Sequence, residues 1–88
     1  MSEDQGISKF RAEIDRIDME LLKLVNQRAQ CAIGIGEIKK LEGLPVYVPE
    51  REKQVIEKMI ENNKGPLPDT AISELFHWLF DQMKKLEH

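Results

Sequence analysis

Arg28 stands in a line of apolar residues where a charge is out of place. Phe10, Ile14, Ile17, Leu21, Leu24, Arg28, Cys31, Ile35 and Ile38 recur in alternating steps of four and three, the spacing that keeps one stripe of a helix against a partner surface. Desolvating a guanidinium there costs on the order of several kcal/mol unless an anion or carboxylate meets it, so a negatively charged group is expected inside the bundle. Lys39 follows Arg28 by eleven residues, which is about three turns and about 16 Å. The two side chains therefore leave the helix in nearly the same direction and can lean toward one cavity. Arg11 precedes Arg28 by seventeen residues, about 25 Å along an unbroken helix, and can join that cavity only from a second copy. Cations so arranged can bind and orient an anion.

A carboxylate also has a position of interest. Glu52 sits one turn before Val55 and Ile56, at the edge of an apolar face. It reads either as a first-turn charge near the positive end of a helix or as an acceptor facing the cavity. Other candidates carry less. Cys31 lies in the seam and reads as a small buried hydrophobe, and neither His77 nor His88 offers a motif to pair with it. Two histidines and one cysteine without ligand spacing argue against a metal site. Gly34 and Gly36 form a lone G-x-G without the preceding strand of a dinucleotide fingerprint; they read as points of close packing. His77 reads as solvated.

The elements that must hold these residues are helices. The first is expected over roughly Ile7 to Leu41, preceded by a frayed residue 1–6 segment, with its start near Gly6 or Ser8. Gly43 suits its C-terminus and Pro45 prevents its continuation. Pro49 opens a second helix that runs to about Asn63, with Val55, Ile56, Met59 and Ile60 as its apolar face. After the Lys64–Pro68 break, Asp69 or Thr70 is expected to cap a third helix. Its stripe is Ile72, Leu75, Phe76, Leu79, Phe80, Met83 and Leu86, with Glu87 on the extension of the same face. Leu86-Glu87-His88 reads either as native sequence or as the start of a vector-encoded tag.

No convincing strand appears, so the 88 residues read as a single all-α domain. A chain this small struggles to bury enough apolar surface alone, and the first helix outreaches what the rest can cover. A dimer partner is expected. A net charge of −3 with both signs interspersed is unlike the basic face of a nucleic-acid binder. No apolar run reaches the roughly 20 residues that cross a bilayer, and no signal-peptide pattern opens the chain. A cytoplasmic location is expected, in keeping with a single cysteine.

With these residues placed, the chain resembles the all-helical (AroQ-class) chorismate mutases. The likeness spans Ile7 to Glu87. It rests on Phe10-Arg11, Ile14-Asp15-x-Ile17-Asp18-x-x-Leu21-Leu22, Leu24-Val25-x-x-Arg28, Ile35-Gly36-x-x-Lys39 and Pro49-Glu50-Arg51-Glu52 in that order. The resemblance implies an intertwined homodimer of three-helix chains with two shared active sites. It further implies rearrangement of chorismate to prephenate without cofactor, metal or covalent intermediate. Carried onto this chain, it makes Arg28 and Arg11 of the partner subunit carboxylate clamps. Lys39 reaches the ether oxygen and a carboxylate, Arg51 positions the acidic end of the ligand, and Glu52 accepts the ring hydroxyl.

Three positions depart from the family pattern. Val48 replaces an acidic residue, leaving only backbone for a hydroxyl contact. Met83 stands where serine is common, and Glu87 aligns with a position that is glutamine or glutamate. A glutamate there donates to the ether oxygen only when protonated. The alternatives are an isochorismate pyruvate lyase on the same architecture and a non-catalytic helical dimerisation or regulatory module in which Arg28 is a structural ion. The chain also reads as a domain that can belong to a larger aromatic-pathway enzyme.

Overall fold

The structure, a computed structural model, describes residues 2–87 and the side chains of residues 6–87. Three helices make up the fold: α1 (Ser2–Glu42), α2 (Pro49–Asn62) and α3 (Asp69–Glu87). No strand occurs among the described residues. Helix α1 begins at Ser2, ahead of the Gly6 to Ser8 start read from the sequence. None of the helices is long and apolar enough to cross a membrane among the described residues.

The chain divides into two compact units, Met1–Gln30 and Cys31–His88. The first is the N-terminal stretch of α1. Its seam residues are exposed, from 47 % at Ile17 to 72 % at Phe10, while Val25, Arg28 and Ala29 are half-buried. Arg16 pairs with Glu13 and Glu20 one turn to either side, contacts that contribute only tenths of a kcal/mol each, about 0.3–0.5.

The second unit contains the last turns of α1 with α2 packed on α3. Gly43 closes α1 in the left-handed region at φ 68, and the Leu44 amide donates to the Lys39 carbonyl at 2.8 Å. That conformation favours glycine because it lacks a Cβ. Val48 is the N-cap of α2, with Pro49 in its first turn. The Arg51 and Glu52 amides both donate to the Val48 carbonyl.

At the other end of α2, Asn63 organises the turn. Its Nδ2 donates to the Leu67 carbonyl and to Asp69 Oδ1, and its Oδ1 accepts from the Gly65 amide. The expected cap at Asp69 or Thr70 is therefore corrected. Asp69 is the first residue of α3, the Pro68 carbonyl accepts the Ala71 and Ile72 amides, and the Asp69 carboxylate serves Asn63.

Ala32, Leu79, Phe80 and Met83 form the buried core. Burying each of the three large side chains stabilises the unit by about 1.5–3 kcal/mol. Within the expected stripe of α3, Ile72 and Phe76 are half-buried, and Leu75 and Leu86 stay exposed. Two further expectations change. Cys31 is exposed. Of the two glycines in α1, only Gly36 is a packing point. A Cβ there would lie 2.7 Å from the Glu87 Cα, whereas one at Gly34 would meet nothing within 4 Å.

Candidate active site

The close approach of Gly36 to Glu87 sets the geometry at the end of α1. With no side chain at Gly36, the last turn of α3 lies directly on α1. One turn along α1, Lys39 then meets the Glu87 carboxylate. Lys39 Nζ donates to Glu87 Oε1 at 2.6 Å and to the Val46 carbonyl at 2.9 Å. Both side chains are largely enclosed, 15 % and 11 % exposed. A charge-assisted bond in such surroundings is stronger than one at the surface. It joins α1, α3 and the connection between α1 and α2 at one nitrogen.

A second ion pair lies in the same unit. Glu52 Oε2, from the first turn of α2, meets Lys84 Nζ of α3 at 3.1 Å. Asp81 Oδ1 stands 3.6 Å from the same nitrogen, and the ammonium lies 4.6 Å from the centroid of the Tyr47 ring. The hydrogen bond to Glu52 holds the Lys84 ammonium above its ordinary value of 10.5, against a smaller opposing effect of desolvation. A lysine raised on folding stabilises the native state below its unfolded value and loses that contribution as pH rises past the folded one. Lys84 thus stays charged through the neutral range, and its share of stability is lost only on the alkaline side of 10.5.

The remaining sequence-derived candidates fall as follows. Arg51 is exposed on the first turn of α2 and makes no ion pair among the described residues. The Val48 carbonyl already accepts two amides, so a backbone contact from Val48 to a ligand would come from its N–H. Met83 is buried and presents a thioether where a hydroxyl would donate. Arg28 is half-buried and Arg11 exposed, both in the first unit. Lys39 and Glu87 are thus in direct contact, and Glu52 is held by a residue the sequence did not single out.

An open groove of about 310 Å³ is lined by Tyr47, Pro49, Glu52, Lys53, Ile56, Glu57 and His77. It includes Glu52 but neither Lys39 nor Glu87. Lys84 and Tyr47 escaped the sequence reading for different reasons. Lys84 reads with Lys85 as an ordinary basic last turn that complements the helix dipole, and Tyr47 lies in a connection with no periodicity. No group of three or more His, Cys, Asp or Glu suited to a metal occurs among the described residues.

Comparisons with known proteins identify the family. The family model described as "Chorismate mutase type II" matches residues 10–88. A chorismate mutase of Methanocaldococcus jannaschii is 33 % identical over 84 residues, covering 94 % of this chain and 85 % of that protein. A bifunctional chorismate mutase/prephenate dehydratase of Aquifex aeolicus is 41 % identical over 87 residues, covering 94 % of this chain and 24 % of that protein. The chain therefore spans about a quarter of the length of such bifunctional relatives.

Among solved structures, a chorismate mutase of Thermus thermophilus superposes with a TM-score of 0.90 at 36 % identity, covering 92 % of each chain. The Helicobacter pylori chorismate mutase in complex with prephenate gives 0.87 at 27 %, covering 96 % of this chain and 91 % of that one. With the match running from the first seam aromatic through the Lys39 and Glu87 positions, the chain belongs to the chorismate mutase type II family.

Proposed function

We propose that the chain converts chorismate to prephenate as a homodimer whose two active sites each draw on both subunits. The observation that carries the proposal is the enclosed Lys39 ammonium, held between Glu87 Oε1 and the Val46 carbonyl, in a chain whose family match covers both residues. Arg28 and Arg11 of the partner subunit hold the two carboxylates, folding the enolpyruvyl arm over the ring. That orientation removes much of the entropic part of the barrier. Lys39 meets the negative charge that develops on the breaking ether oxygen. Glu87, when protonated, donates to the same oxygen, while Arg51 steadies the acidic end and Glu52 accepts the ring hydroxyl. Val48 offers its backbone N–H, and Met83 closes the site with apolar bulk.

The intertwined dimer is supported by the first unit, where Phe10, Ile14, Leu21 and Leu24 are all more than half exposed. An apolar line of that length on one helix calls for a partner surface, and a second copy of the same seam supplies one. A cytoplasmic location is part of the proposal, in keeping with a single free cysteine. Because relatives such as the Aquifex protein are bifunctional, a larger native enzyme with a second aromatic-pathway activity is equally in keeping with this chain.

The test is direct. Purified protein given chorismate should consume its absorbance and yield prephenate, and its mass in solution should be twice that of the chain. Release of pyruvate from isochorismate, with no turnover of chorismate, would replace the mutase with the lyase. Absence of both reactions would leave a helical binding module.

A further inference from the structure

We propose that Lys84 is a positioning residue that fixes the Glu52 carboxylate for its contact with the ring hydroxyl of the ligand. The proposal rests on the functional reading above and deepens one part of it.

Glu52 lies on the first turn of α2, and its side chain has several rotatable bonds. Left to itself it would sample many rotamers, and anchoring a ligand hydroxyl would require ordering them at binding. Lys84 removes that freedom beforehand. Its ammonium takes Oε2 at 3.1 Å, leaving the other lone pairs of the carboxylate for a hydroxyl. Lys84 is itself held from two further directions, with Asp81 Oδ1 at 3.6 Å one turn back on α3 and the Tyr47 ring beneath it at 4.6 Å. The attraction of an ammonium to an aromatic face adds to that of the carboxylates.

The same nitrogen therefore ties α2, α3 and the connection before α2. That connection also carries Val46, which binds Lys39, and Val48. Both lysine and glutamate are only part-exposed, 28 % and 21 %, so solvent screens the pair less than a surface bridge. A fully solvated pair between two flexible side chains would carry no such argument.

The test is a double-mutant cycle on Lys84→Met and Glu52→Gln, read in steady-state kinetics with chorismate and in calorimetric binding of prephenate. Lys84→Met should raise KM and weaken prephenate binding by about 3- to 5-fold, with kcat changed less than about twofold. Lys84→Arg should restore most of the loss. In the Glu52→Gln background, Lys84→Met should have no further effect, because a neutral amide gives the ammonium little to hold.

Additive effects in the cycle, or a fall in kcat with KM unchanged, would overturn the positioning role. So would a loss of equal size toward a dicarboxylate analogue lacking the ring hydroxyl, since it would make Lys84 a direct contact of the ligand acid groups. If the wild type turns over chorismate and the cycle is additive, the function stands and the Lys84 role falls. If the wild type neither turns over chorismate nor binds prephenate, both fall.

Discussion

The two units of the chain meet the problem of a small domain in opposite ways. Residues 31–87 form a packed body in which Leu79, Phe80 and Met83 are buried and Gly36 lets α3 lie on α1. Residues 6–30 are a single stretch of helix whose apolar seam is exposed along its length. The first kind of region holds itself together. The second exposes an apolar line that its own unit does not cover, and it carries two of the cations proposed to hold the ligand. Stability and function should therefore respond differently to substitutions in each.

The largest effect is expected from a charge in the exposed seam. In the proposed dimer, Leu21→Asp would place an unpaired carboxylate between the subunits, weakening association on the order of 100-fold or more. Sedimentation should show monomer, and turnover should vanish with the dimer. Unchanged mass and activity would show that the seam is solvated in the working protein.

Next comes Arg28→Ala, which should lower kcat/KM on the order of 100- to 1,000-fold while helical circular dichroism persists. Arg11→Ala should be similarly inactive. Mixing the two inactive variants should restore about a quarter of wild-type activity, since half of the dimers are mixed and each mixed dimer has one intact site. No recovery despite demonstrated subunit exchange would confine each site to one subunit.

Leu79→Ala probes the packed unit and should destabilise it by about 2–5 kcal/mol. The unfolding midpoint should fall by a similar amount at every protein concentration, in contrast to the concentration-dependent loss at Leu21. Gly36→Ala should cost about 1–3 kcal/mol, because its Cβ would press on backbone at Glu87. Gly34→Ala, with open space around it, should not destabilise.

The smallest effect concerns Glu87. Its carboxylate accepts from the Lys39 ammonium, and a glutamine there would keep that acceptor while adding an N–H able to donate to an ether oxygen. Glu87→Gln should therefore hold kcat within about tenfold of the wild type, whereas Glu87→Ala should fall further. Equal turnover in all three would remove Glu87 from the site.

The sequence showed most where it broke its own pattern. Arg28 was visible because the seam around it is apolar, and Lys39 because it follows Arg28 by three whole turns. The three helices followed from periodicity and from Gly43, Pro45, Pro49 and the Lys64–Pro68 break. What stayed hidden depends on side chains meeting across the fold. Nothing in the order of residues links Glu52 to Lys84, or Tyr47 to either, because the three lie on different elements. Nor could the sequence say that Gly36 rather than Gly34 would meet α3, or that Asn63 would take the Asp69 carboxylate.

The Lys39 ammonium has three N–H donors. Two are committed, one to the Val46 carbonyl and one to Glu87 Oε1, each on a different element. Tetrahedral nitrogen then leaves a single direction for the third, as two legs of a tripod fix where the last must point. An oxygen of the proposed ligand would meet a donor already aimed, with no torsion left to search. An arginine in its place, being planar, could not reproduce that aim.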